Sequence, residues 1–88
     1  MIEETKVQLS IIIVNYNARS LIGQCLVSIN KAIVGIDNEI IIVDNNSNDG
    51  SKEYLLQQIP GVKFIFNDAN LGFAKACNQG FKISTGRY

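Results

Sequence analysis

Residues 39–50 run Glu39-Ile40-Ile41-Ile42-Val43-Asp44-Asn45-Asn46-Ser47-Asn48-Asp49-Gly50. Four consecutive β-branched residues without polar alternation read as a strand buried on both faces, the pattern of a parallel sheet covered by helices. A dense polar turn follows at once. Carboxylate and amide groups in that position sit at the carboxyl edge of the sheet, where open α/β folds bind their ligands. The first expectation is therefore a ligand site beginning at Asp44.

Upstream of this stretch, Val7 to Val14 alternates at its entry and turns wholly apolar, as a central parallel strand would, and ends in Asn15, Tyr16 and Asn17. Met1 to Lys6 are polar and expected to fray. Ser20 is a good N-cap for a helix whose apolar positions are Leu21, Ile22, Cys25, Leu26, Ile29 and Ile33, with Gly35 just past its end. Downstream, Asp49 or Ser51 caps a short helix with Tyr54, Leu55 and Ile59 on its apolar side, stopped by Pro60 and Gly61. A third strand covers Val62 to Phe66, and a second polar loop covers Asn67 to Gly72. The last helix starts near Phe73, carries Phe73, Ala76, Cys77, Gly80, Phe81 and Ser84 on one stripe, and ends at Thr85 and Gly86. Its small Ala76 and Gly80 let it approach the sheet closely.

Strand and helix thus alternate three times, which implies right-handed crossovers, a parallel sheet and helices on both of its faces. The three loops that follow strands converge on one edge, and asparagine and aspartate dominate all three. Gly86, Arg87 and Tyr88 look like the approach to a further strand.

Bulk properties narrow the function classes. At 88 residues, 47% hydrophobic, the chain makes one domain at most and buries roughly 60% of its unfolded surface. Eight basic and eight acidic residues, with no run of either sign, point away from nucleic acid and membrane surfaces. Cys25 and Cys77 sit among apolar residues at helical spacing and read as small buried hydrophobes. Without histidine or a CxxC pair there is no structural zinc motif and no Ser-His-Asp triad. No apolar run is long enough to cross a bilayer, and no secretory signal precedes the first strand, so a reducing, cytoplasmic setting is the expectation. GxxxxGK(S/T) and GxGxxG are both absent, and the first loop carries Asn15 and Asn17 where a phospho-acceptor receiver needs carboxylates.

Several side chains offer positive chemistry, each beside a plainer role. Tyr16 has a ring that stacks on a planar base or closes the edge of the core. Asp44 accepts hydrogen bonds from ribose hydroxyls or a base N–H, or holds its own turn. The amide of Asn45 pairs with N3–H and a neighbouring carbonyl of uracil or thymine, and other edges if flipped. Lys75, in the first turn of the last helix, joins the helix N-terminal amides in suiting a diphosphate, or is a solvated surface lysine. Asn78 is a helix-face residue turned toward the same loops.

Taken together, residues 9–17 (LSIIIVNYN), 39–51 (EIIIVDNNSNDGS), 70–80 (NLGFAKACNQG) and 86–88 (GRY) resemble the start of a family 2 glycosyltransferase. That resemblance covers nearly the whole chain. It implies a GT-A fold, of which residues 1–88 are a single, truncated N-terminal nucleotide-sugar-binding subdomain: Rossmann-like, three-layer α/β/α, with a parallel sheet of about three strands. The VNYN and VDNNSNDGS wording is similar to rhamnosyltransferase-like members that use a UDP- or dTDP-activated sugar. By position, the resemblance implies Val14 and Tyr16 against the base and Asp44 and Asn45 at base and ribose, with Asn15, Asn17 and Asn46 among the nucleotide-binding residues of the same loops. Gly72, Phe73, Lys75 and Asn78 fall near the diphosphate. The family's frequent Asp-Asp pair is Asp44-Asn45 here, which loosens strict uracil reading.

The resemblance further implies that the parent transfers the sugar with inversion to a glycan or lipid-linked acceptor, in the cytoplasm at the inner face of the membrane. The parent is expected to use a divalent cation, Mn or Mg. The DxD motif and catalytic base follow later in the family, so this chain alone is expected to bind no metal and to lack transferase activity. Its first strand, central in the full fold, is expected to be an unpaired edge that invites self-association. The competing expectation is a non-catalytic α/β module that binds a nucleotide or another protein.

Overall fold

The computed structural model describes residues 7–58 and 61–88. Six elements alternate along the chain: β1 (Leu9–Asn15), α1 (Arg19–Ala32), β2 (Asn38–Asp44), α2 (Ser51–Gln58), β3 (Lys63–Phe66) and α3 (Phe73–Ile83). The strands form one parallel sheet in the order β1-β2-β3. β1 meets β2 from Leu9↔Asn38 to Asn15↔Asp44, and β2 meets β3 from Ile41↔Lys63 to Asp44↔Phe66. This is the expected α/β arrangement; Met1 to Lys6, Ile59 and Pro60, which also figured in the sequence reading, lie outside the described residues.

The unbroken apolar run of β2 has a direct cause. Ile40 and Ile42 pack with Ile22, Leu26 and Ile33 from the α1 segment and Leu55 of α2, whereas Ile41 and Val43 face Ala76 of α3 on the opposite side of the sheet. Ile41, Ile42 and Val43 are fully buried. Each such side chain contributes about 1.5–3 kcal/mol of burial, so neither face of β2 tolerates a polar residue. β1 has one strand neighbour among the described residues, and Leu9 to Val14 are half-buried there.

The helices are narrower than their sequence stripes. α1 begins at Arg19 behind Ala18, with no side-chain cap, so Ser20 lies inside the first turn rather than at the N-cap. Leu21 and Cys25 are exposed, and the buried line is Ile22, Leu26 and Ile33. Cys77 is half-buried, and both cysteines are free thiols rather than core residues. On α3 only Ala76 and Gly80 turn fully inward, while Phe73 and Phe81 are 73% and 71% exposed. A Cβ at Gly80 would come within 2.6 Å of Ile12 Cγ2, which explains why this position has no side chain. The helix closes at Ile83, before the Thr85-Gly86 stop.

The end of the chain returns to β1. The Tyr88 N–H donates to Gln8 O and the Ser10 N–H donates to Tyr88 O, both at 2.9 Å, the pattern of a parallel bridge opposite Leu9. The edge of β1 is thus paired at its start, contrary to the expected unpaired strand. One buried carboxylate secures this return. Glu39 accepts from Ser10 Oγ at 2.5 Å, Lys63 Nζ at 2.8 Å, Thr85 N at 2.5 Å and Thr85 Oγ1 at 3.0 Å. Gly86 then donates to Ser10 Oγ at 2.7 Å, so close to β1 that a side chain would strike it.

Candidate functional site

Parallel strands that end together bring their following loops to one edge, and the register does so here: Asn15, Asp44 and Phe66 lie side by side. Strand alternation then divides the polar groups. The Asp44 side chain turns toward the α1–α2 face and that of Asn45 toward α3, so the two neighbours in sequence serve different loops.

On the α1 side, Asp44 is fully buried. Its Oδ1 accepts from Asn15 Nδ2 at 2.8 Å and its Oδ2 from the Ser47 N–H at 2.9 Å. Ser47 Oγ in turn accepts from Asn15 Nδ2 at 3.2 Å and the Asn17 N–H at 2.9 Å, and Asn17 Oδ1 accepts from the Asn48 N–H at 2.8 Å. The first two loops are thereby stitched together. Asn15 is 1% exposed, and its Oδ1 is a buried acceptor without a partner among the described residues. Asn17 and Asn46 hold φ of 50° and 67°, left-handed conformations that asparagine tolerates better than most residues.

On the α3 side, Asn45 Oδ1 accepts from Asn67 Nδ2 at 2.9 Å and the Leu71 N–H at 3.4 Å, while its Nδ2 donates to Gly72 O at 3.2 Å. Asn67 and Gln79 add a reciprocal amide pair, 2.8 Å in both directions. The Asn45 amide is thus engaged in holding the loop that leads into α3.

The helix N-termini at this edge are unequally served. Asp49 Oδ2 accepts from the Arg19 N–H at the start of α1, at 2.9 Å, and its Oδ1 from the backbone and hydroxyl of Ser51 at the start of α2. The Ser51 hydroxyl bond is the largest influence on Asp49; with the backbone bonds, it outweighs burial and lowers the carboxyl pKa from its ordinary value. Among the described residues α3 has no such carboxylate: Gly72, at φ 84°, caps it without a side-chain hydrogen bond of its own and donates its N–H to Asn70 Oδ1 at 2.8 Å, and the first turn carries Lys75 and no acid.

Of the sequence-derived candidates, Asn15, Asp44 and Asn45 are buried in these networks, and Val14 is half-buried beneath α3. Tyr16, Asn17, Asn46, Gly72, Phe73 and Lys75 form the exposed rim. Asn78 is exposed on α3, about 200° around the helix from the inward-facing Ala76, and does not turn to the loops. Ser47, Asn67 and Gln79 stand outside the sequence-derived candidates, and Asp49 enters there only as a helix cap, although each ties two segments of the edge together. The Asp44-x-x-Ser47 spacing, which returns a backbone N–H to a carboxylate three residues earlier, was the legible sign of the first. Among the described residues no three His, Cys, Asp or Glu side chains gather to hold a metal ion. The residues present therefore do not fit the divalent cation expected of the parent. No helix among them is long and apolar enough to cross a membrane.

Comparison with known proteins gives the family. Residues 10–88 match the model of glycosyl transferase family 2. The chain is 39% identical over 83 residues to an uncharacterized glycosyltransferase of Nostoc sp. (strain PCC 7120), covering 90% of this chain and 25% of that protein. It is 37% identical over 86 residues to a poly(ribitol-phosphate) beta-glucosyltransferase of Bacillus spizizenii (strain W23), covering 92% of this chain and 14% of the relative. The chain thus spans a quarter or less of the length of these relatives, and it belongs to glycosyl transferase family 2.

Proposed function

We propose that these residues form the donor-binding part of an inverting glycosyltransferase that takes a UDP- or dTDP-activated sugar, with the diphosphate at the start of α3 and the pyrimidine nucleoside beside Tyr16 and Asp44. The observation that carries this reading is the uneven service of the helix N-termini. Asp49 already neutralises α1 and α2, whereas α3 offers unshared backbone N–H groups beside Lys75, the arrangement that favours a bound anion. Asn45 acts from beneath, fixing Gly72 so that those N–H groups face one point. Because Asp44 is buried, its contact with a ribose or base requires the Asn15–Ser47 bonds to rearrange as ligand enters.

The acceptor, a glycan or lipid-linked polymer, and the catalytic base belong in this proposal to further segments of a longer enzyme at the cytoplasmic face of the membrane. Its donor-binding residues would lie in this chain. The register supports such a division: a strand continuing from Tyr88 in step with β1 would bring the sixth residue beyond it level with Asn15 and Asp44. Rhamnosyl transfer, indicated by the VNYN and VDNNSNDGS wording, and glucosyl transfer, named in the Bacillus relative, are the two donors to compare.

Titration of the 88-residue chain with UDP, dTDP, CDP and ADP, with and without manganese, tests the reading. Pyrimidine diphosphates are expected to bind, and Asp44→Ala and Lys75→Ala to weaken them at least fivefold more than Lys63→Ala at the far end of the sheet. Equal effects of the three substitutions, or no binding by a folded sample, would remove the proposed pocket.

A further inference from the structure

Three amide side chains run in line from the loop before α3 to the middle of that helix. Asn45 Oδ1 accepts from the Leu71 N–H at 3.4 Å, and its Nδ2 donates to Gly72 O at 3.2 Å. Asn67 Nδ2 donates to Asn45 Oδ1 at 2.9 Å and to Gln79 Oε1 at 2.8 Å, and Gln79 Nε2 returns a bond to Asn67 Oδ1 at 2.8 Å. Each amide has one orientation that fits. The backbone of Leu71 and Gly72 decides which end of Asn45 accepts, Asn45 Oδ1 then requires a donor from Asn67, and the groups left on Asn67 decide the two ends of Gln79. Asn67 is buried, and its own N–H donates to Asp44 O at 2.9 Å, so the line of amides is anchored on β2.

We infer that Asn67 and Gln79 are positioning residues for the diphosphate: they fix the direction in which the first turn of α3 points its N–H groups. The inference rests on the donor-binding reading above. Packing alone leaves that direction loose. α3 meets the sheet through Ala76 and Gly80, whose side chains are too small to interlock with it, and the chain enters the helix through Gly72, at φ 84°. Among the described residues, Gln79 is the member of α3 whose side chain hydrogen-bonds another segment.

Gln79 lies about 9 Å along the helix axis from Phe73, so the bonds at Gly72 and at Gln79 hold α3 at two separated points and fix its line. Without the second point, a tilt of about 10° around Gly80 would carry the first turn, about 10 Å away, by roughly 2 Å. A hydrogen bond to a phosphate oxygen does not survive such a displacement. A nucleoside beside Tyr16 and Asp44 would not feel it, because the Asp44 carboxylate is held by Asn15 and Ser47 on the opposite face of the sheet. Losing the amide pair should therefore harm recognition of phosphate and spare that of the nucleoside.

The test titrates the 88-residue chain, labelled with nitrogen-15, with UMP and UDP, which differ by the second phosphate. Gln79→Leu removes both bonds at a half-buried position and adds no charge. It is expected to lower the affinity for UDP relative to UMP about fivefold, the worth of one net hydrogen bond. Without ligand it should also shift the backbone amide signals of Phe73, Ala74 and Lys75, while circular dichroism stays unchanged. Gln79→Glu sets an ionised carboxylate against Asn67 Oδ1; it should displace the same signals at about pH 7 and return them as pH falls to about 4, where the carboxyl again both donates and accepts. An unchanged UDP-to-UMP ratio in Gln79→Leu overturns the inference, and a lowered melting temperature beside it makes the pair a structural tie only. Signals of Gln79→Glu that do not return with acid overturn it too. No UDP binding by the folded parent overturns the donor-binding reading instead; the ligand-free signals then decide whether the pair steers α3, and unmoved signals overturn that as well.

Discussion

Glu39 concentrates more of the fold's polar bonding in one side chain than any candidate ligand residue does, and it does so at the edge of the sheet away from the site. Burial alone would raise its pKa. The Lys63 ammonium, the Ser10 hydroxyl and the backbone and hydroxyl of Thr85 outweigh that effect and bring it from 4.5 down to about 2. A folded-state pKa below the unfolded value means that the bonds stabilise the protein fully above pH 4.5 and are lost as pH falls toward 2. Allowing for screening at the half-exposed Lys63, the contribution is roughly 1–3 kcal/mol. Urea unfolding at stepped pH should show stability dropping across that window, and Glu39→Gln should flatten most of the drop. An unchanged profile in the variant would assign the acid sensitivity to other carboxylates.

At the scale of elements, two glycines in helices make opposite forecasts. Gly80 lies against the β-branched Ile12, whose Cγ2 sits next to the backbone on a stiff χ1 and cannot give way as the end of a long side chain can. Gly80→Ala should lift α3 and cost about 1–2 kcal/mol, the overpacking penalty exceeding the helix-propensity gain. Gly23 instead meets the hydroxyl end of Tyr54, whose ring stacks under the Arg19 guanidinium 3.7 Å from its centroid. That ring is half-buried against the core, but the atom in the way is its hydroxyl, the far end of the side chain, which a small tilt moves aside. Gly23→Ala should therefore leave stability within about 1 kcal/mol of the parent or raise it. Thermal melts of the two variants decide the matter, and equal losses would mean that both helices are held by the same close packing. The sequence marks Gly80, which shares a stripe with Ala76 and foretells a close approach to the sheet, whereas Gly23 merely interrupts a helical pattern.

For the molecule as a whole, protection should follow the layering. β2 is covered by α1 and α2 on one face, α3 on the other, and a strand at each side. Amide exchange should accordingly be slowest at Ile41, Ile42 and Val43, whereas the outward amides of Ile12 and Val14 should exchange near the unprotected rate in dilute solution. Slow exchange at both in a dilute monomer would mean that the β1 edge is closed within the chain.

What the sequence determined by itself was everything governed by local period and local chemistry. The solid run Ile40 to Val43 demanded cover on both faces, the strand–helix alternation demanded parallel pairing, and the polar residues after each strand marked the edge where the loops meet. The segments 9–17, 39–51 and 70–80 also carried the family. Tertiary structure decided what depends on neighbours distant in the chain. Among the strands of this chain it set β2 between β1 and β3, so that β2 alone has a strand on either side here. It turned Asp44 and Asn45 to opposite faces of the sheet, which no reading of adjacent residues in a loop could foresee. It left Phe73 and Phe81 in solvent although they share the periodic stripe of Ala76 and Gly80, because a helix packed this closely on a sheet buries only its smallest residues. It also joined Glu39 to Thr85 across 46 positions, a bond that exists only once α3 has carried the chain back to β1.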